Sequence, residues 1–146
     1  MPATFLLTFD CEGKWGVVDC MSPHYRAFTS DRLETAYRAV LALLQKYRVG
    51  ATFAFTGAFA MQRSEFEALR PEMAACGADA VPWMRLALAE IERDGDGWFS
   101  PATFRAVNDA GIHEIASHGF SHLPWCADYA TRRLSASSAS STSRVA

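Results

Sequence analysis

A strand, a long amphipathic helix and a second strand follow one another within the first 55 residues, and this succession constrains the fold more than any other feature of the chain. Ala3–Phe9 is a run of aromatic, β-branched and aliphatic residues that ends at two acids, Asp10 and Glu12. It reads as a buried strand delivering both carboxylates from its carboxyl end. Thr29 or Ser30 then caps a helix in which Leu33, Ala36, Tyr37, Val40, Leu41 and Leu44 recur at three- and four-residue spacing. Glu34 falls near the position that a capping box requires. The helix is expected to stop near Arg48 because Gly50 follows, and Ala51–Phe55 reads as the second strand. Two strands joined through a helix form a βαβ unit, so the fold class is α/β with a parallel sheet.

Cys11–Phe28 contains Gly13, Gly16 and Pro23 with no sustained period, and reads as a loop. Ser64–Ala75, with Pro71 as a break, and Trp83–Glu92 read as helices. Asp94-Gly95-Asp96-Gly97 reads as a tight turn, since it lacks the spaced ligands and terminal glutamate of a calcium loop. Ser100 as N-cap and Pro101 at the first helical position open a further helix that Gly111 closes. The third strand, Ile112–Ser117, runs into His118.

A chain of 146 residues, half of them hydrophobic and 21% charged, fits one packed domain. Its net charge of −2 offers no basic excess to neutralise phosphates, which argues against nucleic-acid or membrane partners. No apolar run approaches the ~20 residues that span a bilayer. The opening MPATFLLTFD has no signal-peptide pattern, so the default location is cytoplasmic. Cys11, Cys20, Cys76 and Cys126 lack CxxC spacing and read as reduced thiols. Residues 131–146 hold six serines and three arginines but no acid or aromatic, the composition of a disordered tail. So abrupt a change is what a premature stop, a shifted frame or a truncation produces.

Two segments carry the chemistry. His118 and His122 lie four apart, a spacing that puts both imidazoles on one face of a helical turn, directly after a parallel strand. Read without a ligand, they are two polar loop histidines. Asp10 and Glu12 end another strand, and ligands of parallel α/β folds gather at such carboxyl edges. The structural alternative is a charged loop start, or an ion pair with Lys14. Asp10 is costly at the mouth of an apolar strand unless it has a partner. One carboxylate and two imidazoles make the three-ligand, one-open-position arrangement of catalytic zinc, and a spare acid nearby can take a proton from water.

The stretches TFDCEG and HEIASHGFSH resemble the first two signature motifs of the polysaccharide deacetylases, the fold of the nodulation-type chitooligosaccharide deacetylases. The resemblance implies a metal-dependent hydrolase of N-acetyl or other non-peptide C–N amide bonds, acting on a carbohydrate or a small amide. By the same match Asp10 is the catalytic base, and Glu12, His118 and His122 hold a divalent metal, expected to be zinc. Cys11 separates the two acids, as in the family's acid-x-acid branch, and Gly119 stands where the family often has Ser or Thr. The implied fold is the N-terminal part of a distorted (β/α)7 barrel over residues 3–126. Nothing after Trp125 resembles the later motifs, which in the family supply a base-orienting arginine and a general-acid histidine. The expectation is therefore a truncated and impaired member, able to self-associate through an open sheet edge. Trp15 and Trp125 flank the motifs and are candidates for lining a sugar groove. His24 reads as a solvent-facing loop residue and His113 as a packed strand residue. Other readings are a non-catalytic metal-binding fragment, a glycan- or partner-binding pseudoenzyme, and a cytosolic cyclic-amide hydrolase on the same fold.

Overall fold

The structure, a computed structural model, describes residues 5–123. Trp125, Cys126 and the serine-rich segment 131–146 lie outside the described residues. Three strands, β1 (Thr8–Cys11), β2 (Thr52–Phe55) and β3 (Glu114–Ser117), form one parallel sheet in the order β1-β2-β3. Thr8 pairs with Thr52 and Thr52 with Glu114, so the three strands are in step along their whole length. Helices α1 (Pro23–Arg26) and α2 (Ser30–Tyr47) connect β1 to β2. The second connection holds α3 (Gly57–Ala60), α4 (Arg63–Ala68), α5 (Arg70–Ala75), α6 (Pro82–Arg93) and α7 (Pro101–Ala110). This is a three-stranded parallel α/β sheet with flanking helices, consistent with part of a barrel.

Helix α2 begins and ends where its sequence indicates. Thr29 Oγ1 accepts the Arg32 backbone N–H at 3.3 Å, and Arg48 closes the helix in the left-handed region at φ 53°. Glu34 does not complete a capping box. With Thr29 as N-cap it lies two residues too far along, and pairs instead with Arg38 one turn on, at 3.2 Å. The helix containing Pro71 is interrupted, with α4 and α5 meeting at Leu69. Gly111, at φ 67°, is the left-handed cap of α7.

Strand alternation decides the core. Phe9, Cys11, Phe53 and Phe55 face the helices, where Phe9 stacks on Phe53 at 4.8 Å and Phe55 meets Phe104 at 5.2 Å. Thr8, Thr52 and Glu114 share the opposite, open face, where Thr52 Oγ1 donates to Glu114 Oε2 at 2.7 Å. The first strand is shorter than its apolar run suggests. Phe5 and Leu6 are 80% and 83% exposed and precede Leu7, whose O accepts from Thr52 N.

The segment expected to be a loop is ordered. Gly13–Cys20 winds as a 3₁₀ helix kinked at Val17, and α1 follows it. Trp15 and Val18, three apart, are its buried apolar residues, matching three residues per turn. The turn at Asp94–Gly97 fastens this segment down. Lys14 N donates to Gly97 O at 3.1 Å, and Lys14 Nζ reaches Asp94 Oδ2 at 3.2 Å while only 2% exposed. Asp96 Oδ1 accepts Ser30 N at 2.9 Å, and hydrogen bonding with Ser30, first from its side chain and then from its backbone, holds the Asp96 carboxyl below the usual range. Lys14 thus pairs with Asp94 and leaves the acids at the end of β1 alone. Among the described residues no helix is long and apolar enough to cross a membrane.

Candidate metal centre

The ladder positions the two ends of the site. Thr56 N donates to Cys11 O at 3.0 Å and His118 N to Phe55 O at 2.8 Å, which sets Glu12 and His118 at the carboxyl edge of the sheet. Glu12 is the N-cap of the 3₁₀ helix, yet its side chain makes no capping bond and is left for the site. Its carboxylate lies over Gly16, where an added Cβ would land on Oε1. The glycine is the seat for this side chain.

His118 and His122 come together without a helical turn. Gly119 at φ 77° and His122 at φ 54° are both left-handed, and between them the chain folds back so that the imidazole centroids lie 4.9 Å apart. Gly119 therefore suits its position, since glycine, which has no β-carbon, adopts left-handed backbone without steric cost. Its N–H is taken up by Ser117 Oγ at 3.3 Å.

Glu12 Oε2 lies 3.3 Å from His118 Nε2 and 3.1 Å from His122 Nε2. These are ion-pair separations, but neither approach has hydrogen-bond geometry. Glu12 Oε2 and His118 Nε2 are both shielded from solvent without a hydrogen-bond partner. The ligand atoms of the three side chains all lie within 4.8 Å of one another. Tetrahedral zinc with bonds of about 2.0–2.2 Å sets its ligands roughly 3.3–3.6 Å apart; the 3.3 Å separation meets that range and the 3.1 Å one falls about 0.2 Å short of it. The donor set, one carboxylate and two imidazoles, is also that of a divalent metal site with an open position.

The other residues singled out in the sequence are placed as follows. Asp10, the penultimate residue of β1, lies on the open face and is exposed, so the desolvation argument for a partner does not hold. Among the described residues no hydrogen bond or ion pair reaches its carboxylate. Trp15 does not line a groove. It is fully buried, donates from Nε1 to Trp98 O at 2.8 Å and packs edge-on against Trp98 at 5.1 Å. An aromatic beside a motif faces the core when its N–H finds a buried acceptor. Trp125 lies outside the described residues. His24 is exposed, and the His113 ring packs against Phe53 at 5.1 Å. Cys11 sits between the two acids but points into the core, where burial pushes its thiol up to about 11.

A cleft of about 640 Å³ opens beside the histidines, lined by Gly16, Asp19, Trp83, Phe120 and Leu123 among others. Asp19 and Trp83 give no local sequence signal of a site. Each reaches the cleft through tertiary packing, Trp83 from α6 and Asp19 from the end of the 3₁₀ helix.

A parallel α/β sheet carrying a carboxylate and two imidazoles at its carboxyl edge can hold one divalent cation beside an open cleft. A profile of the polysaccharide deacetylase family matches residues 3–144, and the chain belongs to that family. Comparison with curated proteins and with solved structures returns no match.

Proposed function

We propose that the protein is a zinc-dependent hydrolase of N-acetyl groups, or of related non-peptide C–N amide bonds, on a carbohydrate. The observation that carries this reading is the partnerless Glu12 Oε2 facing two imidazoles at 3.3 and 3.1 Å. A buried acceptor left without a donor costs about 1–3 kcal/mol, and a cation at this point removes that cost. Glu12, His118 and His122 hold the ion, with Gly16 leaving room for the Glu12 carboxylate. When bound, zinc supplies Lewis acidity toward an amide carbonyl and lowers the pKa of water.

Asp10 projects from the open face of the same strand end and accepts the proton that water gives up on attacking the amide. The cleft of about 640 Å³ has room for the acetamido group and part of its sugar. We expect slow turnover, since among the described residues no hydrogen bond or ion pair orients Asp10. Unfixed acid–base groups forfeit a contribution of roughly 10²–10⁴-fold.

The test has two parts. Equilibrium dialysis of the purified chain should retain one zinc per chain, and acetate release from an acetylated oligosaccharide should be weak and lost on Asp10→Asn. Failure to retain zinc would overturn the metal reading, and release unaffected by Asp10→Asn would remove Asp10 as the base.

A further inference from the structure

The turn carrying both histidines is pinned through three successive backbone carbonyls. Gly119 O accepts from Gly57 N at 2.9 Å, Phe120 O from Ala58 N at 2.8 Å, and Ser121 O from Trp83 Nε1 at 3.1 Å. The first two donors are backbone groups at the start of α3. The third is a side chain, delivered by the first turn of α6 and only 4% exposed. Its acceptor, Ser121, directly precedes His122, whose backbone is left-handed at φ 54°. That conformation costs a non-glycine residue about 1 kcal/mol or more and persists only where the surroundings hold it. The Trp83 ring also lies 6.3 Å from the His122 imidazole, on the wall of the cleft.

We propose that Trp83 is a positioning residue for the metal site, holding His122 in its strained, ligand-ready conformation through the indole N–H bond to Ser121 O and through ring packing. This rests on the zinc reading above and extends it to a residue remote in sequence from both motifs. The chemistry follows from the fixed geometry. A ligand of a tetrahedral ion must keep its donor atom within a few tenths of an ångström of its place. His122 Nδ1 is shielded and has no hydrogen-bond partner, so no hydrogen bond from that nitrogen sets the ring's orientation. The orientation is imposed through the backbone, and Ser121 O is where a side chain grips it.

Trp83→Phe keeps most of the packing and removes the N–H donor. It should weaken zinc binding, measured by competition with a chromophoric chelator, by about tenfold or more, as substitutions just outside a ligand shell do. Met84→Ala, on the same helix and buried at 3% exposure, serves as the comparison. It should lower the melting temperature while leaving zinc affinity within about twofold of the unsubstituted chain. Equal zinc affinity in Trp83→Phe and the unsubstituted chain would overturn the proposal, and so would equal weakening in both variants. Should Trp83→Phe fail to fold, the indole N–H resonances of the unsubstituted chain decide. The Trp83 signal should shift on addition of one equivalent of zinc and exchange slowly with solvent; zinc binding with no shift of that signal would refute the role. A chain that retains no zinc at all would overturn the zinc reading and this inference with it.

Discussion

Gly16 lies directly under the Glu12 carboxylate, so that a Cβ at position 16 would occupy the place of Glu12 Oε1. The contact runs from the N-cap to a residue inside the 3₁₀ helix and explains why a glycine stands there. Gly16→Ala is expected to swing Glu12 out of the cluster and lower zinc affinity roughly 10–100-fold, as outer-shell substitutions do. Stability should change little, which a chemical denaturation curve beside the zinc titration would check.

His118→Ala should abolish retention of one zinc per chain, whereas His113→Ala should leave it intact. The two imidazoles differ in place. His118 Nε2 faces Glu12 Oε2 at 3.3 Å, while the His113 ring lies on Phe53 just before β3. Metal analysis after gel filtration distinguishes them, and equal loss from both variants would mean that the ligand set is misassigned.

Trp15→Ala should destabilise the fold by about 3–5 kcal/mol, the range for large-to-small aromatic substitutions in a core. Trp15 is fully buried, its indole N–H bonds to Trp98 O, and Phe66 lies 5.4 Å away. Urea unfolding measures this; a loss under about 1 kcal/mol would be the behaviour of a surface residue and would restore Trp15 as a candidate for the sugar groove.

Asp96 should contribute to the acid limb of stability. Its carboxyl is held below the ordinary value of 3.8, first by the side-chain hydrogen bond to Ser30. A depressed carboxyl stabilises the fold above its unfolded pKa, and the contribution is lost as pH falls through the lower folded value. The unsubstituted chain should therefore be more stable than Asp96→Asn at pH 7, with the gap closing below about pH 3.8. Asp96 is exposed, so the difference should stay under about 1 kcal/mol. Denaturation at both pH values checks the sign.

The regular elements were legible where periodicity is long. Helix α2 shows its apolar stripe across 18 residues, starts at one of its two candidate caps, Thr29, and stops at Arg48, where the following Gly50 put its end. The histidine pair and the two acids were legible as candidates from residue type and spacing, and the choice of Glu12 over Asp10 came from the family resemblance, but the reason His118 and His122 meet was not legible. A four-residue interval suggests a helical turn, whereas two left-handed residues do the work in an irregular one. The 3₁₀ helix escaped notice because its period of three is carried by only Trp15 and Val18 among glycines. Trp15 was read as a groove residue because the acceptor that commits it to the core, Trp98 O, lies 83 positions further along the chain. Trp83 gave no signal for the same reason, since its partner Ser121 is 38 residues away. Local pattern reveals elements and ligand types, while long-range hydrogen bonds decide which face a side chain joins.

The order β1-β2-β3 has a kinetic consequence. Glu12 follows the first strand to be made and the histidines follow the last, and they meet only once β3 has docked beside β2. A cation cannot bridge them before that long-range pairing forms, so its bonds are expected to be missing from the folding transition state. Interactions absent from a folding transition state slow unfolding and leave the folding rate nearly unchanged. Saturating zinc should accordingly lengthen the native lifetime of this chain while leaving its refolding rate as it is without zinc.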